Sequence, residues 1–357
     1  MARSPFRFGI LSTALIGREQ LIPAIGRAEN AVVTAIASRS ASKAEALAGR
    51  IGAPHAFGSY EALLASDEID GVYIPLPTAQ HVEWTRKALE AGKHVLCEKP
   101  IALQAAEIDA LIAARDASGK LVSEAFMITY HPQWAKVREL IGGEPGSDGA
   151  IGELRTVDAA FSYCNRDESN LRNRPELGGG VLPDIGVYPV VSARFATGRE
   201  PVRVQATVEY DPNFGTDRYA SVRVDFGGFE MLFYVGTQLA ARQTIAFHGD
   251  EGFVEVAAPW NSNLYEGDEV RLHDRDHAGA RIFRYTGVDQ YALQVEAFVR
   301  AALETDGGEE NETARSAVFS LEDSVRNQRV IDAIYAAGRS GNWEEIPGDR
   351  PGTGEGP

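Results

Sequence analysis

The sequence predicts two domains of different class: an N-terminal doubly wound α/β domain on a parallel sheet, then an α+β domain on a large, mostly antiparallel open sheet. Three observations carry this prediction. The 357 residues are about twice a typical domain length. Over roughly the first 125 residues, short apolar runs alternate with amphipathic helical runs, the pattern of a parallel sheet covered on both faces. After Tyr130 the pattern changes to strands of alternating polarity.

Taken in order, Phe6–Leu11 and Val32–Ser38 are β-rich runs, and Gly17–Arg27 between them has Leu, Ile and Ala at helical spacing. Further strands are expected at Gly71–Ile74, His94–Cys97 and Leu121–Ala125. Helices are expected at His81–Ala91 and Leu103–Ser118, the latter stopped by Gly119. A helix near Pro183–Phe195 precedes the second sheet. There Ser221–Phe226 and Phe229–Tyr234 flank Gly227-Gly228, a two-residue hairpin signal. Ala314–Gly338 reads as a long helix that packs back on the first domain. The domains are therefore set at 1–128 and 129–346, with a disordered Gly/Pro-rich tail over 347–357.

Composition narrows the function. Hydrophobic residues at 44% and charged residues at 24% are globular values. No apolar run reaches the roughly 20 residues of a membrane span, and the N-terminus lacks a signal-peptide core. Two cysteines form neither a disulfide framework nor a four-thiolate zinc site, and the histidines, His248, His273 and His277 included, lack metal-ligand spacing, so no metal is expected. The setting read from this is cytoplasmic.

The net charge of −16 disfavours nucleic acid and anionic membranes. The excess is uneven. Residues 1–128 hold 13 basic and 14 acidic side chains, against 22 and 37 in the remainder. The first domain can therefore take an anionic cofactor, and the second favours neutral, sugar-like substrates.

A dinucleotide-binding domain places a small-residue turn between its first strand and first helix, so that the pyrophosphate approaches the helix N-terminus. The corresponding residues are Ser12, Thr13, Ala14, Leu15 and Ile16, followed by Gly17. Against G-x-G-x-x-G only the third glycine remains, with Ser12 and Ala14 at the first two positions. The next strand ends in Ser38-Arg39-Ser40 with Lys43 one turn on, where NAD-binding chains carry an acidic residue. Arg39 and Ser38 suit a 2′-phosphate, which favours NADP over NAD. In the plainer reading Ser40 or Ser42 caps the next helix and Arg39 is solvated.

Four stretches are more specific: GKHVLCEKPI at Gly92–Ile101, YIPLPTAQHVEW at Tyr73–Trp84, EAFMITYHPQW at Glu124–Trp134 and GGGVLPDIGVYPV at Gly178–Val190. Together they resemble the Gfo/Idh/MocA oxidoreductases. Within that family, the PLP…HVEW stretch and NLRNRPELGGG at Asn170–Gly180 look most like NADP-dependent D-xylose dehydrogenases and dihydrodiol dehydrogenases. Thr78 departs from the Asn that close relatives often carry there.

The resemblance implies an N-terminal Rossmann domain and a catalytic set of Lys99, Asp184 and Tyr188, with a cis peptide at Lys99–Pro100. It adds Pro75, Leu76, Pro77, His81, Glu98, Lys99 and Arg172 as cofactor contacts, and Tyr163, Arg172, Lys99, Asp184 and Tyr188 as substrate contacts. Bare, E-K-P is a helix-start tripeptide and Asp184 after Pro183 a helix cap. The i, i+4 spacing of Asp184 and Tyr188 puts both on one helical face. A phenol is a poor proton shuttle without a neighbouring cation, which Lys99 is expected to supply. Lys99 would also hold the substrate oxygen, and Asp184 would orient the sugar hydroxyls.

The reaction expected is hydride transfer at a sugar or cyclic-polyol carbon, foremost an aldose 1-dehydrogenase. A keto-sugar reductase of the 1,5-anhydrofructose type, a trans-dihydrodiol dehydrogenase and, from a different class, a non-catalytic NADP-sensing regulator stand as alternatives. Family members pair their open sheets, so a homodimer or homotetramer is expected.

Overall fold

The computed structural model describes residues 4–143, 149–262, 268–307 and 317–348. They form two compact units, Met1–Tyr130 with Asp289–Val325 and His131–Val288 with Arg326–Pro357.

The first unit is built on strands β1 (Phe6–Leu11), β2 (Ala31–Ala37), β3 (His55–Phe57), β4 (Gly71–Ile74), β5 (His94–Cys97) and β6 (Val122–Glu124). They run parallel in the order β3-β2-β1-β4-β5-β6. Helices α1 (Ile22–Arg27), α2 (Ala41–Ile51), α3 (Tyr60–Leu64), α4 (His81–Glu90) and α5 (Ala105–Ser118) make the crossovers. Strands buried on both faces need continuous apolar runs, and β4 and β5 are buried at every position. The strand order reverses direction at β1, between β2 and β4. In such sheets ligands bind at the carboxyl ends of the strands beside that switch point. The loops after β1, β2, β4 and β5 all emerge on that edge.

Strand and helix limits differ from the sequence reading by small amounts with local causes. The fifth helix starts at Ala105 rather than Leu103, because Gln104 and Glu107 form a reciprocal capping box. The sixth strand is shorter than Leu121–Ala125, and the second ends before Ser38.

In the second unit, α6 (Pro132–Ile141) precedes β7 (Leu154–Cys164), and α7 (Val187–Thr197) precedes β8 (Arg203–Tyr210), β9 (Asp217–Asp225), β10 (Glu230–Gly236), β11 (Gln238–Gly249), β12 (Gly252–Val256), β13 (Glu269–Asp274) and β14 (Ala280–Arg284). The nine-stranded order is β14-β13-β12-β11-β7-β10-β9-β8-β15, and β7–β10 is its one parallel pair. The expected hairpin is present: β9 and β10 are antiparallel, and the Phe226 amide donates to the Phe229 carbonyl at 3.0 Å. Along β10 buried Met231, Phe233 and Val235 alternate with outward Leu232 and Tyr234.

The last part of the chain departs from the expected boundaries. Helix α8 (Gln290–Asp306) does not stay with the antiparallel sheet; it belongs to the first unit. There Phe298 lies 6.0 Å from Phe6 and 5.8 Å from Phe8, ring to ring, and Arg27 pairs with Asp289 at 2.5 Å. Its buried Val295, Phe298, Val299 and Ala302 supply the apolar cover for one face of the parallel sheet. Helix α9 (Leu321–Ser340) starts later than Ala314, since Ser320 accepts from the Asp323 amide as its cap; residues 314–316 lie outside the described ones. Leu321 and Val325 join the core of the first unit, and from Arg326 onward the helix belongs to the second. A short β15 (Glu344–Glu345) then pairs with β8. Most of the predicted tail, 349–357, lies outside the described residues.

Candidate active site

At the end of β1 the chain turns at Ser12, whose φ of 133° is a conformation that favours glycine. Ser12 thus adopts the backbone of the first glycine it replaces. Its Oγ accepts from the Ala14 amide at 3.2 Å, which compensates part of the strain. One wide π-type turn at Gly17–Leu21 leads into α1, with the Ile22 amide donating to the Gly17 carbonyl. Leu15 projects outward and is 65% exposed.

At the end of β2 the Ser38 hydroxyl is buried and accepts from the Ser40 amide at 3.2 Å. Arg39 bonds the Tyr60 hydroxyl, and Lys43 lies in the first turn of α2. Among the described residues neither cation is within 4.0 Å of a carboxylate. Two cations without a carboxylate partner among the described residues, at a helix N-terminus, fit an anion. Ser40 occupies the cap position of α2, yet its side chain makes no cap bond; its Oγ lies 3.0 Å from that of Ser42.

The loops after β4 and β5 are tied together from beneath. His81 is 1% exposed, and its Nδ1 and Nε2 lie 2.8 Å from the Pro100 carbonyl and 2.7 Å from the Leu76 carbonyl. Burial draws its pKa down, against the two carbonyls. Its nitrogens are thus taken up by main chain between Pro75–Pro77 and Lys99–Pro100. The Lys99–Pro100 peptide is cis, as the resemblance implies. Glu98 accepts the Tyr73 hydroxyl at 2.6 Å, and its other oxygen lies 3.3 Å from the Lys99 amide. Below them, Glu124 at the end of β6 is 3% exposed and accepts the Ile101 amide at 2.9 Å. Burial pushes its carboxyl up to about 7, against a Ser324 hydrogen bond, the Ile101 amide and the charge of Lys99. Cys97 is fully buried in β5, and burial raises its thiol well above the ordinary value.

In the second unit, Asp184 is the focus of a charged cluster. Tyr163, on β7, donates its hydroxyl to Asp184 Oδ2 at 2.5 Å, and Arg172 Nε donates to the same oxygen at 2.9 Å. Burial, then the adjoining carboxylate, raises the Tyr163 phenol far above its usual value, and the Asp184 charge raises Arg172. Arg172 is also coupled electrostatically to Tyr188. Tyr188 itself is 7% exposed, its ring 5.7 Å from Phe161 and 6.2 Å from Trp260. Asp184 is therefore not the simple helix cap that Pro183 suggests. It lies within a π-type turn, Leu182–Gly186, that feeds α7, so the i, i+4 geometry is not that of a regular α-helix.

The cap comes from elsewhere. Asp217 on β9 is buried and accepts the Leu182 amide at 2.7 Å and the Tyr335 hydroxyl at 2.9 Å. The Gly-Gly-Gly run makes room for it. Gly180 has φ +142°, and a Cβ there would lie 2.0 Å from Asp217 Oδ1; a Cβ on Gly179 would lie 2.5 Å from the Arg172 carbonyl.

Sequence reasoning selected Tyr163, Arg172, Asp184 and Tyr188, which fold together in one unit. It also selected Ser12, Thr13, Ala14, Leu15, Ile16, Ser38, Arg39, Lys43, Pro75, Leu76, Pro77, His81, Glu98 and Lys99, which lie at the strand ends of the other. It missed Glu124, Asp217 and Tyr73. A glutamate at the end of an apolar strand and an aspartate opening another were the available signals. Among the described residues no three His, Cys, Asp or Glu side chains gather as a metal-ligand set, and no helix is long and apolar enough to cross a membrane.

Residues 6–126 match the oxidoreductase family with NAD-binding Rossmann fold, GFO_IDH_MocA, and residues 134–255 match the GFO/IDH/MocA C-terminal domain. The chain is 35% identical over 341 residues to D-xylose 1-dehydrogenase (NADP(+)) 2 of Haloferax volcanii, covering 95% of this chain and 99% of that one. It is 40% identical over 354 residues to a dTDP-3,4-didehydro-2,6-dideoxy-α-D-glucose 3-reductase of Saccharopolyspora spinosa, with 95% and 99% covered. A 3-ketoreductase from Actinomadura kijaniata, solved with NADP and TDP-benzene, superposes with a TM-score of 0.84 at 30% identity, over 94% of this chain and 98% of that one.

Proposed function

The chain belongs to the GFO/IDH/MocA oxidoreductase family, enzymes that act on sugars with a nicotinamide cofactor, and from that premise we propose that it is an NADP-dependent aldose 1-dehydrogenase of the D-xylose type. The observation that carries the reading is the Tyr163–Asp184–Arg172 cluster, a carboxylate whose charge is met by one guanidinium and which is suited to neutral hydroxyls.

The cofactor fits the first unit by two features of the chain. The turn at Ser12 has the backbone of a glycine, and Arg39 and Lys43 are cations without carboxylate partners among the described residues. Ser12, Thr13, Ala14, Leu15 and Ile16 would hold the pyrophosphate, Ser38, Arg39 and Lys43 the 2′-phosphate, and Pro75, Leu76, Pro77 and Glu98 the inner part. When bound, the nicotinamide supplies hydride exchange at its C4. Tyr188 exchanges the proton of the reacting hydroxyl, and Arg172 stabilises negative charge growing on the phenol. Asp184 accepts hydrogen bonds from the sugar hydroxyls, and Tyr163 and Arg172 keep its orientation. Lys99 holds the reacting oxygen.

The second reading is reduction of a keto sugar, favoured by the 40% identity to a nucleotide-sugar 3-reductase. Initial rates with NADP on D-xylose, D-glucose and a trans-dihydrodiol, and with NADPH on 1,5-anhydrofructose and a dTDP-linked 3-keto sugar, separate the two. The highest kcat/KM is expected for D-xylose with NADP. A highest value for a keto sugar overturns the first reading in favour of the second.

The outward face of the nine-stranded sheet, with Leu232 45% and Leu239 40% exposed, is proposed to pair copies into a homodimer or homotetramer. A monomer by light scattering rejects that. The two unpaired thiols, Cys97 buried and Cys164 exposed, fit a reducing cytoplasm.

A further inference from the structure

Two buried titratable groups hold opposite sides of one peptide unit. The carbonyl of Pro100 and the amide of Ile101 belong to the same peptide group. His81 Nδ1 stands 2.8 Å from that carbonyl, and Glu124 Oε1 accepts that amide at 2.9 Å. Both side chains are almost fully buried, and they come from different elements, α4 and β6. His81 Nε2 reaches the Leu76 carbonyl at 2.7 Å, so the same ring also fixes the loop after β4. Glu124 is steadied in turn by the Ser324 hydroxyl.

An ordinary core would not use these groups. A buried histidine whose pKa burial draws down donates from one ring nitrogen at a time to the two carbonyls it faces, and a buried carboxylate is costly unless it has partners. Here each commits one of its contacts to the peptide immediately after Lys99–Pro100. Peptide polarisation couples such bonds, so a donor on the oxygen strengthens the amide as a donor on the other side.

We propose that His81 and Glu124 act as a pair of positioning residues that clamp the Pro100–Ile101 peptide and so fix the orientation of Lys99. This rests on the reading that Lys99 holds the reacting oxygen. Neither residue touches substrate. The clamp sets how Lys99 is presented, and a displacement of about 1 Å costs on the order of a hundredfold in rate.

The test uses the full-length enzyme and its best substrate. Glu124→Leu removes the acceptor, Glu124→Gln keeps an acceptor oxygen of the same shape, and His81→Leu removes the donor. Expected are a fall in kcat of about tenfold to a hundredfold for Glu124→Leu and His81→Leu, with KM and NADP affinity within about threefold. Glu124→Gln restores kcat to within about threefold of the parent, and the double Leu variant is little worse than either single one, because both act on one peptide. In parallel, hydrogen exchange of the peptide covering residues 98–103 is expected to accelerate in both Leu variants and not in Glu124→Gln. Unchanged exchange in the Leu variants overturns the clamp. Faster exchange with unchanged kcat in folded protein overturns the positioning role. A fully active Lys99→Ala with normal exchange instead overturns the reading of Lys99 and leaves the clamp standing. Should Glu124→Leu fail to fold, His81→Leu and Glu124→Gln decide by the same two readouts.

Discussion

Tyr163 donates its hydroxyl to Asp184 Oδ2 at 2.5 Å from 21 residues earlier in the chain, and Arg172 shares that oxygen. The carboxylate is thus oriented by two donors of unequal charge. Asp184→Asn keeps the shape but loses the charge that faces Arg172. We expect a fall in kcat of about a hundredfold or more with NADP affinity within about twofold, read by steady-state kinetics and fluorescence titration. Tyr163→Phe removes one orienting donor, and about tenfold is expected.

Arg39 is the predicted contact for the 2′-phosphate, placed at the end of β2 by its bond to Tyr60. Arg39→Glu puts a carboxylate where NAD-binding chains carry one. The KM for NADPH is expected to rise by about tenfold to a hundredfold, while that for NADH falls or stays level. An equal loss with both cofactors rejects a 2′-phosphate role.

His131 caps α6, its Nδ1 accepting the Gln133 amide at 3.2 Å, and burial pulls its pKa from 6.5 to about 4. A histidine held neutral in the folded chain binds fewer protons than in the unfolded chain between those values. Stability is therefore full above pH 6.5 and declines as pH falls toward 4, by about 2–3 kcal/mol. His131→Asn retains a capping acceptor without titrating, so its denaturation midpoint is expected to vary less over that window.

Gly180 combines φ +142° with a Cβ position 2.0 Å from Asp217 Oδ1, an atom held by Tyr335. Gly180→Ala must move that carboxylate and strain the backbone. A loss of about 2 kcal/mol or more is expected by urea denaturation, with reduced kcat from displacement of Asp184. Gly341→Ala, at φ +71° in an exposed position with nothing within 4 Å of its Cβ site, is the milder control.

Much of the fold was legible because it is written locally. Apolar runs in β4 and β5, the alternation in β10 and the Gly227-Gly228 hairpin each follow from periodicity within a few residues. The candidate site was legible where motif and chemistry coincided, as at Lys99, Asp184 and Arg172. Glu124 was read only as part of a stretch of sequence, since its place at a strand end is the one local sign of burial and the partners that hold it, Ile101 and Ser324, lie far along the chain. Asp217 was missed for the same reason, its partner amide at Leu182 lying 35 residues away.

The sequence by itself determined the class of each domain, the position of the small-residue turn after β1, the cations after β2 and the family. Only the tertiary structure decided that α8 returns to the parallel sheet, that Ser12 takes a glycine's backbone, and that His81 and Glu124 hold one peptide from both sides. The reason is physical. Helical and strand periods are properties of neighbouring residues, whereas burial, and the hydrogen bonds that burial demands, are fixed by groups 19, 21 or 23 residues apart that meet only in the folded chain.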